Sequence, residues 1–244
     1  MILCVYEGKR ETAWFRSIKR LFLKDEYVEC FVVDGTFHNL YKSLVENGWD
    51  VVGAFRQIEN RKGERNLSSY KESDFSEVYL FFDYDPHSRH SIGDLNSELC
   101  EMLAFFDNET ENGKLYVNYP MIEALRYTKQ LPDREFASYK VDLSDCRDFK
   151  RMVAEFSFYP NNNFIDGRGT VSDEEARENW MMLKTQNVVK ANAMCHNKCE
   201  LPSSKEDVSQ MKIFIAQRDK YLSLRKPQVA ILSAYALFLY DYLR

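Results

Sequence analysis

The sequence predicts an α/β fold, a mainly parallel sheet flanked by helices, followed by a mostly helical C-terminal region. Three observations predict it. Through residues 1–130, short apolar runs alternate with amphipathic stretches, the pattern of strands and helices in a sheet covered on both faces. Beyond about residue 130, helical patterning dominates. The chain has 244 residues, 45% of them hydrophobic, with nine glycines and six prolines, so it can bury a core and is not a linker or low-complexity chain.

Each element has its own justification. Ile2–Tyr6 is a continuous apolar run, as in a buried parallel strand, and Glu7-Gly8 ends it. Glu11–Lys24 sets Trp14, Phe15, Ile18, Leu21 and Phe22 on one helical face. Val28–Val33 is a second strand, closed by Asp34-Gly35, and Phe37–Glu46 a second helix stopped by Asn47-Gly48. Trp49–Phe55 reads as a third strand and 57–76 as a charged surface loop. Val78–Phe82 is a strand running into Asp83-Tyr84-Asp85-Pro86. Ile92–Phe106 is a helix, 108–113 a turn and Leu115–Val117 a last strand, after which Pro120 starts a further helix. In the second half, helices are expected over 145–158, 172–189, 205–224 and 227–243, with a loop over 159–169.

Charge narrows the function. The net charge is −5, which excludes a general cationic surface for nucleic acid but not a local phosphate site. Residues 1–130 hold 16 Lys and Arg against 22 Asp and Glu; residues 131–244 hold 17 against 16. The acid excess therefore belongs to the first half. The opening apolar run stops at Glu7, too early for a secretory leader. The most apolar stretch, 229–239, falls well short of the roughly 20 residues that cross a membrane. The six cysteines are scattered, as reduced thiols of a cytoplasmic protein would be.

A parallel sheet binds ligands beyond the carboxyl ends of its strands. Three acidic features lie there: Glu7 with Glu11 one helical turn on, Asp83 with Asp85, and Glu123 after the short strand. Their side chains could converge at one sheet edge. Hard divalent cations take such oxygen ligands, and Asp-x-Asp leaving a strand can aim two carboxylates at one ion or an adjacent pair. A carboxylate after the first strand can ligate metal or accept a proton from water. Taken alone, Asp-Tyr-Asp-Pro is also good chemistry for a solvated turn.

The joint pattern, Ile2–Tyr6 ending in Glu7-Gly8, then a helix, then Val78–Phe82 ending in Asp83-Tyr84-Asp85, resembles the TOPRIM domain of topoisomerases and primases. Glu7-Gly8-Lys9-Arg10-Glu11 followed by Trp14-Phe15, with Pro120-Met121-Ile122-Glu123 later, is similar to the TOPRIM-like OLD-type and RloB-like nucleases of bacterial phage defence. The resemblance covers about residues 1–130. It implies a catalytic core there, with Glu7, Asp83 and Asp85 as ligands of Mg²⁺ or Mn²⁺, Glu7 alternatively as base, and Glu11 and Glu123 as supporting acids. Residues 131–244 would then bind substrate or a partner. Lys9, Arg10, Arg89 and Arg126 are the candidates for contacting substrate phosphate. No Gly-x-x-x-x-Gly-Lys run is present, so a partner, such as an ABC-type ATPase, would supply any ATP hydrolysis.

The resulting expectation is a metal-dependent nuclease acting on DNA or RNA in antiviral, abortive-infection defence. The alternative is a non-catalytic TOPRIM-like interaction module, in a homodimer or held by a partner ATPase. A small-molecule phosphohydrolase fits less well, because those carry Asp-x-Asp after the first strand. Other features read more simply. His87 and His90 belong to a solvated loop, with a metal or phosphate role as the alternative. Cys195, His196 and Cys199 lack the fourth ligand of a structural zinc site. Asp34-Gly35-Thr36 opens a helix beside the same sheet edge. The aromatic C-terminal helix reads as core or dimer seam.

Overall fold

The computed structural model describes residues 1–62, 67, 69–87, 91–159, 161–167 and 171–243. The first half runs β1 (Ile2–Tyr6), α1 (Lys9–Phe22), β2 (Val28–Val32), α2 (Phe37–Glu46), α3 (Val51–Lys62), β3 (Glu77–Asp83), α4 (Ile92–Phe105), β4 (Asp107–Asn108) and β5 (Gly113–Asn118). These strands form one five-stranded sheet in the order β2-β1-β3-β5-β4. The pairings of β2, β1, β3 and β5 are parallel, and β4 is an antiparallel edge. The fold is thus α/β with a mainly parallel sheet flanked by helices.

Register decides which side chains share a face. Tyr6 pairs with Phe81 and Phe81 with Tyr116, so three aromatic rings point the same way. Phe15 of α1 packs on them, its ring centre 5.6 Å from both Tyr6 and Phe81. The other face takes Phe37 of α2 against Phe82 and Phe55 of α3 against Phe31.

Beyond the sheet come a 3-10 turn (Ile122–Arg126), β6 (Lys140–Asp142), α5 (Phe149–Phe156), α6 (Asn163–Asp166), α7 (Asp173–His196), α8 (Gln210–Ala216), β7 (Gln228–Ala230) and α9 (Ala234–Tyr242). Helix α9 lies on the first half's sheet: Tyr235 stacks on Phe81 at 4.9 Å, and Phe238 meets Phe15, Phe81 and Tyr116. Trp180 of α7 is fully buried and donates its indole N–H to the Ser17 hydroxyl of α1 and the Ile165 carbonyl of α6.

Several sequence expectations change. Trp49–Phe55 is not a strand. Gly48 and Trp49 adopt left-handed φ values of 62° and 67°, and the Asp50 carboxylate then accepts the Gly53 N–H at 2.9 Å, starting α3. Val51, Val52, Phe55 and Ile58 bury one helical face, a pattern a short apolar run shares with a strand. Pro120 does not start an α-helix; it follows a cis peptide bond, and the chain winds into the 3-10 turn instead. The expected helix over 227–243 divides, its first residues pairing as β7 with β6. That over 205–224 divides into a 3-10 turn, α8 and a π-turn (Gln217–Leu222), and that over 145–158 begins as a 3-10 turn.

Candidate active site

Parallel pairing brings the ends of β1, β3 and β5 together. Glu7 follows β1 directly, and its N–H donates to the Phe81 carbonyl of β3 at 3.3 Å. Its carboxylate Oε2 accepts the Asp83 backbone N–H at 3.0 Å, so the two strand ends are clasped by the acid itself. Asp83 sits in register with Asn118 of β5, whose side-chain amide donates to Asp83 Oδ1 at 3.0 Å. The Ile122 backbone N–H also bonds the Asp83 carboxylate. Asp85 adopts a left-handed φ of 32°, its N–H donating to the Pro120 carbonyl at 3.1 Å. Aspartate tolerates this region better than most residues.

Glu11 and Glu123 reach the same place from α1 and from the 3-10 turn, and each is 7% exposed. No described group hydrogen-bonds Glu11 Oε2. A Cβ at Gly8 would stand 3.1 Å from that oxygen, so glycine is what lets the backbone lie against it. Lys150 of α5 stands 4.0 Å from Glu123 and is half exposed.

The electrostatics follow from crowding. Burial, then repulsion from Glu11 and Asp85, pushes the Glu7 carboxyl up to about 8, against the stabilising Asp83 N–H. Burial first, then the charges of Glu7 and Glu11, drives Asp83 well above the usual carboxylate range. Glu11 is raised by burial and by Glu123, with backbone N–H groups and Arg10 opposing. All five predicted acids therefore interact with at least one other member of the set.

The basic candidates are spread around this cluster. Lys9 and Arg10 are exposed at the start of α1, beside a hollow of about 400 Å³ bounded by Glu7, Glu11 and Asp34–Thr36. Arg126 is 9% exposed and donates to the Tyr159 carbonyl at 3.4 Å; burial lowers its pKa and Glu123 opposes the shift. Arg89 and His90 lie outside the described residues. His87 is half-buried, its N–H directed at the Asp85 carboxylate at 3.4 Å. Cys195 and Cys199 are free thiols, as are the other four cysteines, and His196 bonds the Asp207 carbonyl.

Three participants escaped the sequence reading. Asn118 is fully buried and bridges Asp83 to α9, its Oδ1 accepting the Ala234 N–H at 2.8 Å. A polar residue closing an apolar strand was its signal. Tyr235 donates its hydroxyl to the Glu11 carbonyl at 3.2 Å, and Lys150 meets Glu123. Neither carries a local sequence signal, since both contacts cross the fold.

Among the described residues, no group of three or more His, Cys, Asp or Glu is drawn together as a ready-made metal cage. Magnesium needs none, being held by one or two carboxylates with water and substrate phosphate. The donor set here is all carboxylate oxygen, with mutual repulsion that a cation relieves and one buried oxygen lacking a partner, so it fits a hard divalent ion. Among the described residues no helix is long and apolar enough to cross a membrane. No protein-family model, curated protein or solved structure matches this chain.

Proposed function

We propose that this chain is a metal-dependent phosphodiesterase that cleaves DNA or RNA, built on a TOPRIM-like core. The observation that carries the reading is the clasp of Glu7 and Asp83 at adjacent parallel strand ends, inside a set of crowded carboxylates in which Glu7, Glu11 and Asp83 hold their protons more tightly than usual. Acids strongly perturbed by desolvation and like charge cluster at functional sites.

Glu7 and Asp83 would hold Mg²⁺ or Mn²⁺ with water and substrate phosphate, and Asp85 would add an oxygen once the ion draws the set together. Such an ion, when bound, neutralises phosphate charge and makes water a stronger acid. The chain's own residues do the rest. Asn118 and the Ile122 N–H orient Asp83, and the Asp83 N–H orients Glu7. Glu11 and Glu123 supply further oxygens at the rim, while Lys9, Arg10 and Lys150 attract the phosphate backbone that the acids alone would repel. The resemblance to phage-defence nucleases supports a role as an abortive-infection effector, with a partner ATPase or a second copy controlling access.

Incubation of plasmid DNA, single-stranded DNA and RNA with the purified chain tests this. Cleavage is expected only with Mg²⁺ or Mn²⁺, and Glu7→Gln or Asp83→Asn should lower it at least about 100-fold with circular dichroism unchanged. Cleavage that survives both substitutions, or excess EDTA, overturns the reading; a folded chain with no cleavage under any condition favours the non-catalytic module.

A further inference from the structure

Helix α7 leaves one stripe uncovered by the rest of the described fold. Met181, Met182, Thr185, Gln186 and Val189 form one wall of a groove of about 550 Å³. Pro132, Phe136 and Ala137 form the other wall. Met181 is 38% exposed there, and the groove shares no residue with the carboxylate cluster. Its size lies within the range of about 300–1,000 Å³ usual for small-molecule sites.

The walls are fixed without a ligand. The Asp133 carboxylate accepts hydrogen bonds from the Thr128 and Tyr139 hydroxyls and from the Lys129 and Glu135 N–H groups. Lys190, fully buried on α7, donates to the carbonyls of Phe136 and Tyr139. The turn is thereby tied to the helix, which pre-forms the groove.

Gln186 gives the groove its chemical character. It is 8% exposed, and its Oε1 accepts the Asp133 N–H at 3.2 Å, which settles which end of the amide is which. Its Nε2 is left a buried donor with no acceptor among the described residues. Native folds seldom leave such a donor unmet. Arg134 and Arg177 also line the groove, facing a single lining acid, Glu178, apart from the fully engaged Asp133. An occupant with a hydrocarbon body and an anionic acceptor matches all three features.

We propose that this groove binds a small apolar carboxylate, an aliphatic or aryl acid. Its hydrocarbon covers Met181, Met182 and Val189, and a carboxylate oxygen accepts the Gln186 Nε2–H. The assignment is independent of the nuclease reading.

Calorimetric titration of the full chain with decanoate, below its micelle concentration, is the test, with decyltrimethylammonium as the cationic counterpart. Saturable binding of decanoate at one site is expected, and none of the cation. Gln186→Glu keeps the acceptor for the Asp133 N–H and replaces the donor by an oxygen, so it should weaken decanoate at least about tenfold. Met181→Asp, at an exposed position, should abolish binding in a folded chain. No saturable decanoate binding, equal binding of the cation, or wild-type affinity in Met181→Asp would each overturn the proposal. If Gln186→Glu does not fold, the Met181→Asp result decides.

Discussion

Replacing Glu7 by Gln in metal-free buffer should stabilise the protein, and the gain should depend on pH. The Glu7 carboxyl is raised from 4.5 to about 8 by burial and by its acidic neighbours. A group bound more tightly by its proton in the folded state lends stability that is fully present below about pH 4.5 and lost as pH rises through about 8. At about 1.4 kcal/mol per tenfold change in proton affinity, the ceiling on that loss is about 5 kcal/mol. Glu7 keeps some solvent contact and shares its repulsion with Asp83, which leaves a gain of about 2–3 kcal/mol on removing the charge. At about 2–4 °C per kcal/mol for a chain of this size, Tm should rise by about 5–10 °C at pH 8.5 and by almost nothing at pH 4.5. Gln retains an oxygen for the Asp83 N–H, so the clasp survives. Scanning calorimetry of both proteins in EDTA from pH 4.5 to 8.5 reads this directly. A Tm difference that is the same at every pH, or a Glu7→Gln protein less stable at pH 8.5, would refute the crowding argument.

Mg²⁺ or Mn²⁺ at 100 times its Kd should add about 2.7 kcal/mol to the wild-type stability at pH 8, measured as a Tm shift, with less at pH 5.5, where protons compete, and none in Asp83→Asn. Asn118→Ala should cost about 2–4 kcal/mol by chemical denaturation and reduce any cleavage, because one substitution releases both Asp83 and the Ala234 N–H. Phe238→Ala should cost about 3–5 kcal/mol in the same assay, because it empties the seam where α9 meets Phe15, Phe81 and Tyr116. Asp133→Asn should destabilise by about 2–3 kcal/mol at pH 7, opposite in sign to Glu7→Gln, since its carboxylate is held by four donors and its pKa is lowered.

What could be read in advance was whatever depended on neighbours in the chain. Ile2–Tyr6 and Phe37–Glu46 have the expected limits because an acid and a glycine, or Asn-Gly, punctuate them. The acids at the ends of β1 and β3 were legible because parallel pairing must bring strand ends to one edge. Trp49–Phe55 misled because four apolar residues bury one helical face as readily as one side of a strand, and the deciding bond is a single Asp50 side chain. The run 227–243 misled for another reason: a strand partner 88 residues away, Lys140–Asp142 with Gln228–Ala230, draws its first residues out of the helix. Asn118 and Lys150 required the register of β5 on β3 and the docking of α5, which no local pattern encodes.

Asp133 and Glu11 show how this chain treats a buried acid in two different ways. Asp133 is 6% exposed and Glu11 7%, so both side chains are largely covered. Around Asp133 the fold places two hydroxyls and two backbone N–H groups, enough to hold the ionised form below its ordinary range despite burial. Around Glu11, burial first and Glu123 second outweigh backbone N–H groups and Arg10, and one oxygen has no described partner, so the proton is held more tightly. An unmet buried acceptor costs about 1–3 kcal/mol, a sizeable share of the stability of a whole domain. Since the chain satisfies the Asp133 carboxylate, the unmet oxygen of Glu11 and the crowding of Glu7 and Asp83 do not reflect a general shortage of donors. The crowding of Glu7, Glu11 and Asp83 lies at the strand ends, where a bound cation would supply the opposite charge, and under the proposed function that ligand, rather than an imperfect core, accounts for it.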